Sequence, residues 1–194
     1  MRVLVACEFS GTVRRAFQKL GHDAWSCDLL PAEDDGPHIQ GDVRQVLGDG
    51  WDLMVAHPPC THLAVSGARH FHRKQVEQAE ALEFVRTLMD APIPRIALEN
   101  PVSVISSRIR KPDQIIQPYQ FGHPESKKTC LWLKGLNPLQ PTAVMQMRGQ
   151  WENQTPSGQN KLGPSPDRWK IRSKTYPGIA HAMAAQWGME EDRG

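Results

Sequence analysis

Short apolar runs alternate along this chain with longer stretches whose apolar residues recur at helical spacing. Val3-Leu-Val-Ala6 predicts a first buried strand, and the turn Cys7-Glu-Phe-Ser-Gly-Thr12 follows it. Val13, Ala16, Phe17 and Leu20 then share one helical face, with Gly21 as the stop signal. Ala24-Trp-Ser-Cys27 predicts a second strand ending in Asp28. Past a polar, acidic loop at 29–37, His38-Ile-Gln40 predicts a short strand, followed by Gly41-Asp42 and a helical turn over 43–47. Leu53-Met-Val-Ala56 is the next buried strand, and His57-Pro-Pro59 breaks it, because proline lacks an N–H and fixes φ. The spacing of Val76, Ala79, Leu82, Phe84, Val85 and Leu88 predicts a helix over 73–89, ended by Pro92 and Pro94. Arg95-Ile-Ala-Leu98 predicts another strand, stopped by Glu99-Asn-Pro101. Gln114-Ile-Ile-Gln117 and Thr129-Cys-Leu-Trp-Leu133 predict a strand pair. The segment 137–166 is rich in Pro, Gln, Gly and Asn and shows little periodicity, so an irregular connection is expected. A terminal helix over 176–187 carries Pro177 near its start.

Strands alternating with helices predict an α/β fold with a mostly parallel sheet and helices on both faces. The carboxyl ends of such strands open on one edge, where ligands bind. Asp28, Asp42, Cys60 and Glu99 all follow candidate strands, so that edge carries the candidate site. The first stretch of roughly 30 residues is a strand–turn–helix–strand–acid unit, an architecture that cradles adenosine-containing ligands. Gly11 is the only glycine in its turn, so the same residues read equally well as the start of any doubly wound protein.

Composition narrows the class. The 194 residues suggest one domain, 1–194, long enough to bury a core. With 39% hydrophobic and 23% charged residues the chain reads as globular, and it has no signal peptide or apolar run of membrane length. A cytoplasmic protein with no membrane partner is the expectation. Cys7, Cys27, Cys60 and Cys130 are scattered without a C-x-x-C pair, which argues against a disulfide framework or a zinc ribbon. A net charge of +2 leaves nucleic-acid binding to local patches. Arg108-Ile-Arg-Lys111 reads as a phosphate contact or a solvated loop, and Arg168-Trp-Lys-Ile-Arg172 has basic–aromatic interleaving suited to nucleic acid. His57, His62, His70 and His72 with Cys60 lack cleanly paired metal-ligand spacing, so no metal site is expected. Trp132 and Trp187 are expected in the core.

The prolines before Cys60 aim a thiol at a rigid corner, where reactive cysteines are found. Paired with Glu99, it suits covalent attack on a weak electrophile, with the acid hydrogen-bonding the acceptor as charge develops. Cytosine C6 is such an electrophile. Addition there needs N3 protonated or strongly hydrogen-bonded, which a carboxyl of raised pKa supplies.

Pro59-Cys60 and Glu99-Asn100 resemble the two signature dipeptides of the DNA (cytosine-5)-methyltransferases, in the family's order. Phe9-Ser-Gly11 is similar to that family's Phe-x-Gly cofactor turn. Gly41-Asp-Val-Arg-Gln-Val46 resembles its Gly-Asp-Ile-x-x-Val stretch. Phe121-Gly-His-Pro-Glu-Ser-Lys-Lys-Thr129 looks like a degraded Tyr-Gly-x-Pro-Gln-x-Arg-x-Arg. The resemblance covers roughly residues 2–133 and points to compact, phage-type members. It implies a Rossmann-like S-adenosylmethionine-dependent methyltransferase fold, with S-adenosyl-L-methionine as cofactor and DNA as substrate. It further implies base flipping, with Cys60 and Glu99 as catalytic residues. Phe9, Ser10, Gly11, Asp28, Asp42, Val43 and Pro58 would hold the cofactor, with Asp28 at its ribose and Asp42 at its adenine amino group. Asn100, Ser66, Lys127, Lys128, Arg168 and Arg172 would face the substrate, Asn100 more by shaping its loop than by chemistry.

This chain also departs from the family pattern. Val13 replaces the second glycine of the cofactor turn, Lys127 and Thr129 stand for two arginines, and Thr175-Tyr-Pro-Gly178 stands where a Gly-Asn pair is expected. About 40 residues separate the strand pair from the terminal helix, too few for a recognition domain, so the irregular insert 137–166 takes its place. Sequence specificity should then be short or lax, unless a homodimer or a specificity partner supplies it. The alternatives left open are a weak or inactive relative that binds DNA or the cofactor as a regulator, and an enzyme acting on a pyrimidine nucleotide.

Overall fold

In the computed structural model, residues 1–65, 74–146 and 149–189 are described. Their elements run β1 (Arg2–Ala6), α1 (Thr12–Gln18), β2 (Asp23–Asp28), β3 (His38–Gln40), β4 (Leu53–Ala56), α2 (Gln75–Met89), β5 (Arg95–Pro101), α3 (Ile105–Arg108), β6 (Gln114–Ile116), β7 (Thr129–Lys134), α4 (Arg168–Ser173) and α5 (Pro177–Trp187). The seven strands form one sheet in the order β3-β2-β1-β4-β5-β7-β6. The first five are mutually parallel, and β7 runs antiparallel between β5 and β6. This is the α/β architecture with a mostly parallel sheet expected from the sequence. Its topological switch point lies between β1 and β4, where a crevice opens at the carboxyl ends.

The strands are buried on both faces, so they read as continuous apolar runs. Val3, Val5, Leu53, Val55 and Ala97 point to one side and pack with Phe17 of α1 and Ile179, Met183 and Trp187 of α5. Leu4, Met54, Ile96 and Leu98 point to the other, with Leu82, Val85 and Leu88 of α2 and Trp132. Trp132 and Trp187 are core residues, as expected.

Three boundaries differ from the sequence pattern. Helix α1 stops at Gln18 and Gly21 turns at φ +83°, so Leu20, expected on the inner face, lies on the surface. Val76 is likewise exposed, because only Leu82, Val85 and Leu88 of α2 are buried. Strand β5 runs on through Glu99 and Asn100 to Pro101, since antiparallel β7 keeps pairing it there, Pro101 opposite Thr129. The described parts of 137–166 hold no helix or strand, only isolated bridges such as Phe121 to Ala143.

Candidate functional site

The first corner of the site follows β1. Cys7 adopts φ 59°, a left-handed conformation that costs a non-glycine residue stability and turns the chain sharply. The turn buries Glu8, 5% exposed, under the start of α1. Its Oε1 accepts from the Val13 N–H at 2.7 Å and its Oε2 from the Arg14 N–H at 3.3 Å. The Ser10 hydroxyl also donates to Glu8, and Gly11 takes φ 66° at the N-cap. Buried Arg14 then donates to Ser26 Oγ at 2.8 Å and pairs with Asp34, fastening the loop after β2 to this corner. Phe9 is buried, and Trp169 of α4 lies against it with ring centroids 6.0 Å apart.

The second and third corners carry acids. Asp28 ends β2 and accepts from the Leu30 N–H at 2.9 Å. Asp42 caps a short 3-10 turn, Val43–Gln45, and Val43 is buried. Arg44 forks onto Asp42 at 2.9–3.0 Å through Nε, and these bonds hold the Asp42 carboxyl below the usual range. So Asp42 is not a free acid, though each of its oxygens has lone pairs to spare.

This donor set discriminates between nucleotide cofactors. A pyrophosphate seeks free N–H groups at a helix start. Here the carboxylate of Glu8 already takes those of α1, and Asp28 and Asp42 add negative charge nearby. The residues present therefore fit an adenosine ligand whose tail is cationic and whose sugar and base donate hydrogen bonds. S-adenosylmethionine meets that description; a dinucleotide phosphate does not.

The fourth corner follows β4. Pro58 is buried, while Pro59 and Cys60 are exposed. The Cys60 carbonyl accepts from the N–H groups of Leu63 and Ala64, which fixes the corner as the first turn of a short helical segment. On β5, Asn100 is 1% exposed and donates from Nδ2 to the Pro58 carbonyl at 2.9 Å. That bond ties the two corners together, which is a shaping role. The parallel register Ala56 to Leu98 continues one step, setting His57 beside Glu99. His57 Nδ1 and Glu99 Oε2 are 2.8 Å apart, both side chains nearly buried.

Electrostatics here run against the sequence expectation of a raised Glu99 pKa. Burial pushes the Glu99 carboxyl up, but the hydrogen bond and charge of His57 and the charge of Lys127 outweigh it, so the group sits below its usual range. The crowded corner and the charge of Glu99 push the Cys60 thiol up, while Lys127 and Arg172 pull it down.

An open, shallow cleft joins Glu99 to Lys127, Thr129, Thr175, Tyr176 and Ile179. Lys127 donates from Nζ to the Arg172 carbonyl at 2.8 Å and lies 5.9 Å from the Tyr176 ring centroid. Tyr176 donates to Glu125, which raises its own pKa further than burial alone does. The sequence-predicted residues thus divide. Glu99 and Lys127 line the cleft, Cys60 feels the charges of Glu99, Lys127 and Arg172, and Asn100 is hydrogen-bonded to Pro58. Phe9, Ser10, Gly11, Asp28, Asp42 and Val43 line the neighbouring strand ends. Lys128 points outward as an exposed side chain and Arg168 begins α4. Ser66, His70 and His72 lie outside the described residues. Among the described residues, no three His, Cys, Asp or Glu side chains gather as metal ligands, and no helix is long and apolar enough to cross a membrane. Sequence reasoning missed Glu8, Tyr176 and the pairing of His57 with Glu99. Only the position of His57, beside the two prolines, hinted at the last.

No family model and no curated protein matches the chain. Among solved structures it is similar to an E. coli prophage-encoded protein described as a DNA modification methyltransferase, at 13% identity and TM-score 0.47, over 75% of this chain and 52% of that one. It is also similar to Spodoptera frugiperda DNMT2 (an E260A/E261A/K263A mutant), at 16% identity and TM-score 0.45, over 74% and 53%. A short-chain dehydrogenase/reductase superfamily protein from Agrobacterium tumefaciens with bound NAD matches at 18% identity and TM-score 0.33, over 50% and 31%. The chain spans about half the length of the prophage-encoded and DNMT2 chains and about a third of the dehydrogenase chain.

Proposed function

We propose that this protein transfers a methyl group to C5 of cytosine in DNA, through a covalent bond between Cys60 and C6. The reading is carried by one observation: the Asn100–Pro58 bond holds Cys60 and Glu99 at adjacent strand ends, beside a cleft edged by Lys127. The target cytosine leaves the helix stack to reach that cleft, at a cost of a few kcal/mol. Burial and Glu99 hold the Cys60 thiol up, the positive charges of Lys127 and Arg172 offset part of this, and the thiolate attacks C6. Glu99 hydrogen-bonds N3, so that the electron pair displaced from C5=C6 makes C5 nucleophilic. S-adenosylmethionine, held by Phe9, Ser10, Gly11, Asp28, Asp42, Val43 and Pro58, supplies the methyl group. Loss of the C5 proton then expels Cys60. Lys127 serves the base as a point charge, where a bidentate arginine fork would be more specific. Arg168, Trp169 and Arg172 on α4 would follow the DNA backbone, and the irregular 137–166 segment would stand in for a recognition domain, giving short or lax specificity.

The test is DNA containing 5-fluorocytosine, incubated with protein and S-adenosylmethionine and run on a denaturing gel. Fluorine at C5 does not leave as a proton does, so the adduct is trapped. A shifted band that requires both the cofactor and Cys60, and is lost in Cys60→Ser, supports the reading. No band on any DNA, with cofactor binding intact, refutes it. One observation favours a second reading, a slow or inactive relative that binds DNA or the cofactor: the Cys60 thiol is raised and the Glu99 carboxyl lowered, each away from its catalytic form. Under that reading cofactor binding persists and no adduct forms.

A further inference from the structure

Glu99 has a nearly buried partner that the proposed mechanism leaves unused. His57 is 9% and Glu99 13% exposed at the side chain, and 2.8 Å separates Nδ1 from Oε2. Strand register imposes the pairing, since both residues continue the parallel Ala56 to Leu98 step of β4 and β5. Nε2 of His57 is buried and has no hydrogen-bond partner among the described residues.

We infer that His57 is a positioning residue that stores the proton Glu99 delivers to the base. This rests on the cytosine reading above. In the protonated form of the pair, the Nδ1–H of an imidazolium donates to the ionised Oε2 across 2.8 Å. As the Cys60 sulfur–C6 bond forms, the C5=C6 electron pair shifts to C4=C5 and the C4=N3 pair goes to N3. N3 takes a proton from Oε2, and Oε2 takes one from Nδ1, leaving neutral imidazole. When solvent water takes the C5 proton, C5=C6 re-forms and the sulfur leaves as thiolate; the N3 proton then returns by the same path, so the pair ends as it began. Imidazole is the side chain whose charge changes between about pH 5 and 8. Other ionisable groups face the pair. Cys60 lies on the corner after β4, Cys130 sits on β7 and feels the charge of Glu99, and Lys127 and Tyr176 line the shared cleft. Lys127 favours the ionised carboxylate, and the two thiols are neutral in the resting state.

The sign of the pH dependence follows. Proton delivery needs the imidazolium, so this limb of the rate falls as pH rises through the titration of the pair. Formation of the Cys60 thiolate gives the opposite limb, and the wild-type profile is a bell. His57→Asn keeps an N–H donor toward Oε2 and carries no titrating proton. It should lower the rate of adduct formation on 5-fluorocytosine DNA by about 10²-fold at the wild-type optimum, and should remove the falling limb while leaving the rising one. A His57→Asn profile that keeps its falling limb overturns the inference. A second measurement is independent of activity: the His57 ring resonances followed by NMR against pH, in wild type and in Glu99→Gln. The midpoint should fall when the carboxylate is lost, and an unmoved midpoint overturns the inference. If the wild type forms no adduct, the cytosine reading has failed, and the NMR titration still decides whether His57 and Glu99 share a proton.

Discussion

Replacing Glu8 by alanine removes the carboxylate that caps α1 at the corner of the cofactor site. The wild-type side chain is 5% exposed and accepts three hydrogen bonds, from the Val13 N–H at 2.7 Å, the Arg14 N–H at 3.3 Å and the Ser10 hydroxyl at 3.3 Å. A charged hydrogen bond contributes roughly 1.5–3 kcal/mol net, and the short one to Val13 counts in full. The two long bonds count for about 0.5 kcal/mol each, at the low end of ordinary hydrogen bonds. Relief of the buried charge offsets about 1 kcal/mol, because desolvating a carboxylate opposes its burial. The expected loss is about 1.5–3 kcal/mol, a large share of the roughly 5–15 kcal/mol that stabilises a domain. In urea, with a slope of about 2 kcal/mol per molar, the unfolding midpoint should fall by about 0.8–1.5 M. Glu8→Gln keeps one acceptor oxygen for Val13 and should lose about half as much. A midpoint for Glu8→Ala within about 0.25 M of wild type would refute the capping argument, because at that slope the loss would be only ~0.5 kcal/mol.

Asp42→Ala should weaken cofactor binding by about 1.5–3 kcal/mol through loss of a charged hydrogen bond, and unchanged affinity in calorimetry would remove Asp42 from the site. Asp34 makes a pH prediction. Burial raises its carboxyl, but bonds from Arg14, the Gly36 N–H and Arg15 outweigh that and leave it lowered in the folded state. The unfolded chain therefore binds the extra proton, so this contribution is present above about pH 4 and is lost as pH falls below it. Asp34→Asn should flatten the stability curve in that acid range and leave its slope near neutrality unchanged, as read by urea unfolding at several pH values. Gly178→Ala should cost about 2–3 kcal/mol, because a Cβ there would overlap the Phe121 carbonyl oxygen and force the start of α5 off its seat. A thermal midpoint equal to wild type would show that the α5 start gives way freely.

The alternation of apolar runs and helical spacing was sufficient to predict the α/β class, the order of the elements and the strand ends that carry Asp28, Asp42, Cys60 and Glu99. These are local properties: a run such as Leu53-Met-Val-Ala56 needs burial on both faces wherever it lies, and Pro58 and Pro59 must break the strand in any fold. What the sequence could not supply was which strands are neighbours. Only the placement of β5 next to β4 sets His57 against Glu99, 42 positions apart in the chain, and turns a raised carboxyl pKa into a lowered one. Only the return of antiparallel β7 carries β5 through Glu99 and Asn100, and brings Lys127 into the cleft while Lys128 stays outside. Glu8 looked like an ordinary turn residue until the left-handed Cys7 buried it beneath α1. Hydrophobic periodicity records how each segment meets solvent, whereas the charge state of a site depends on distances between segments, and only the tertiary structure sets those distances.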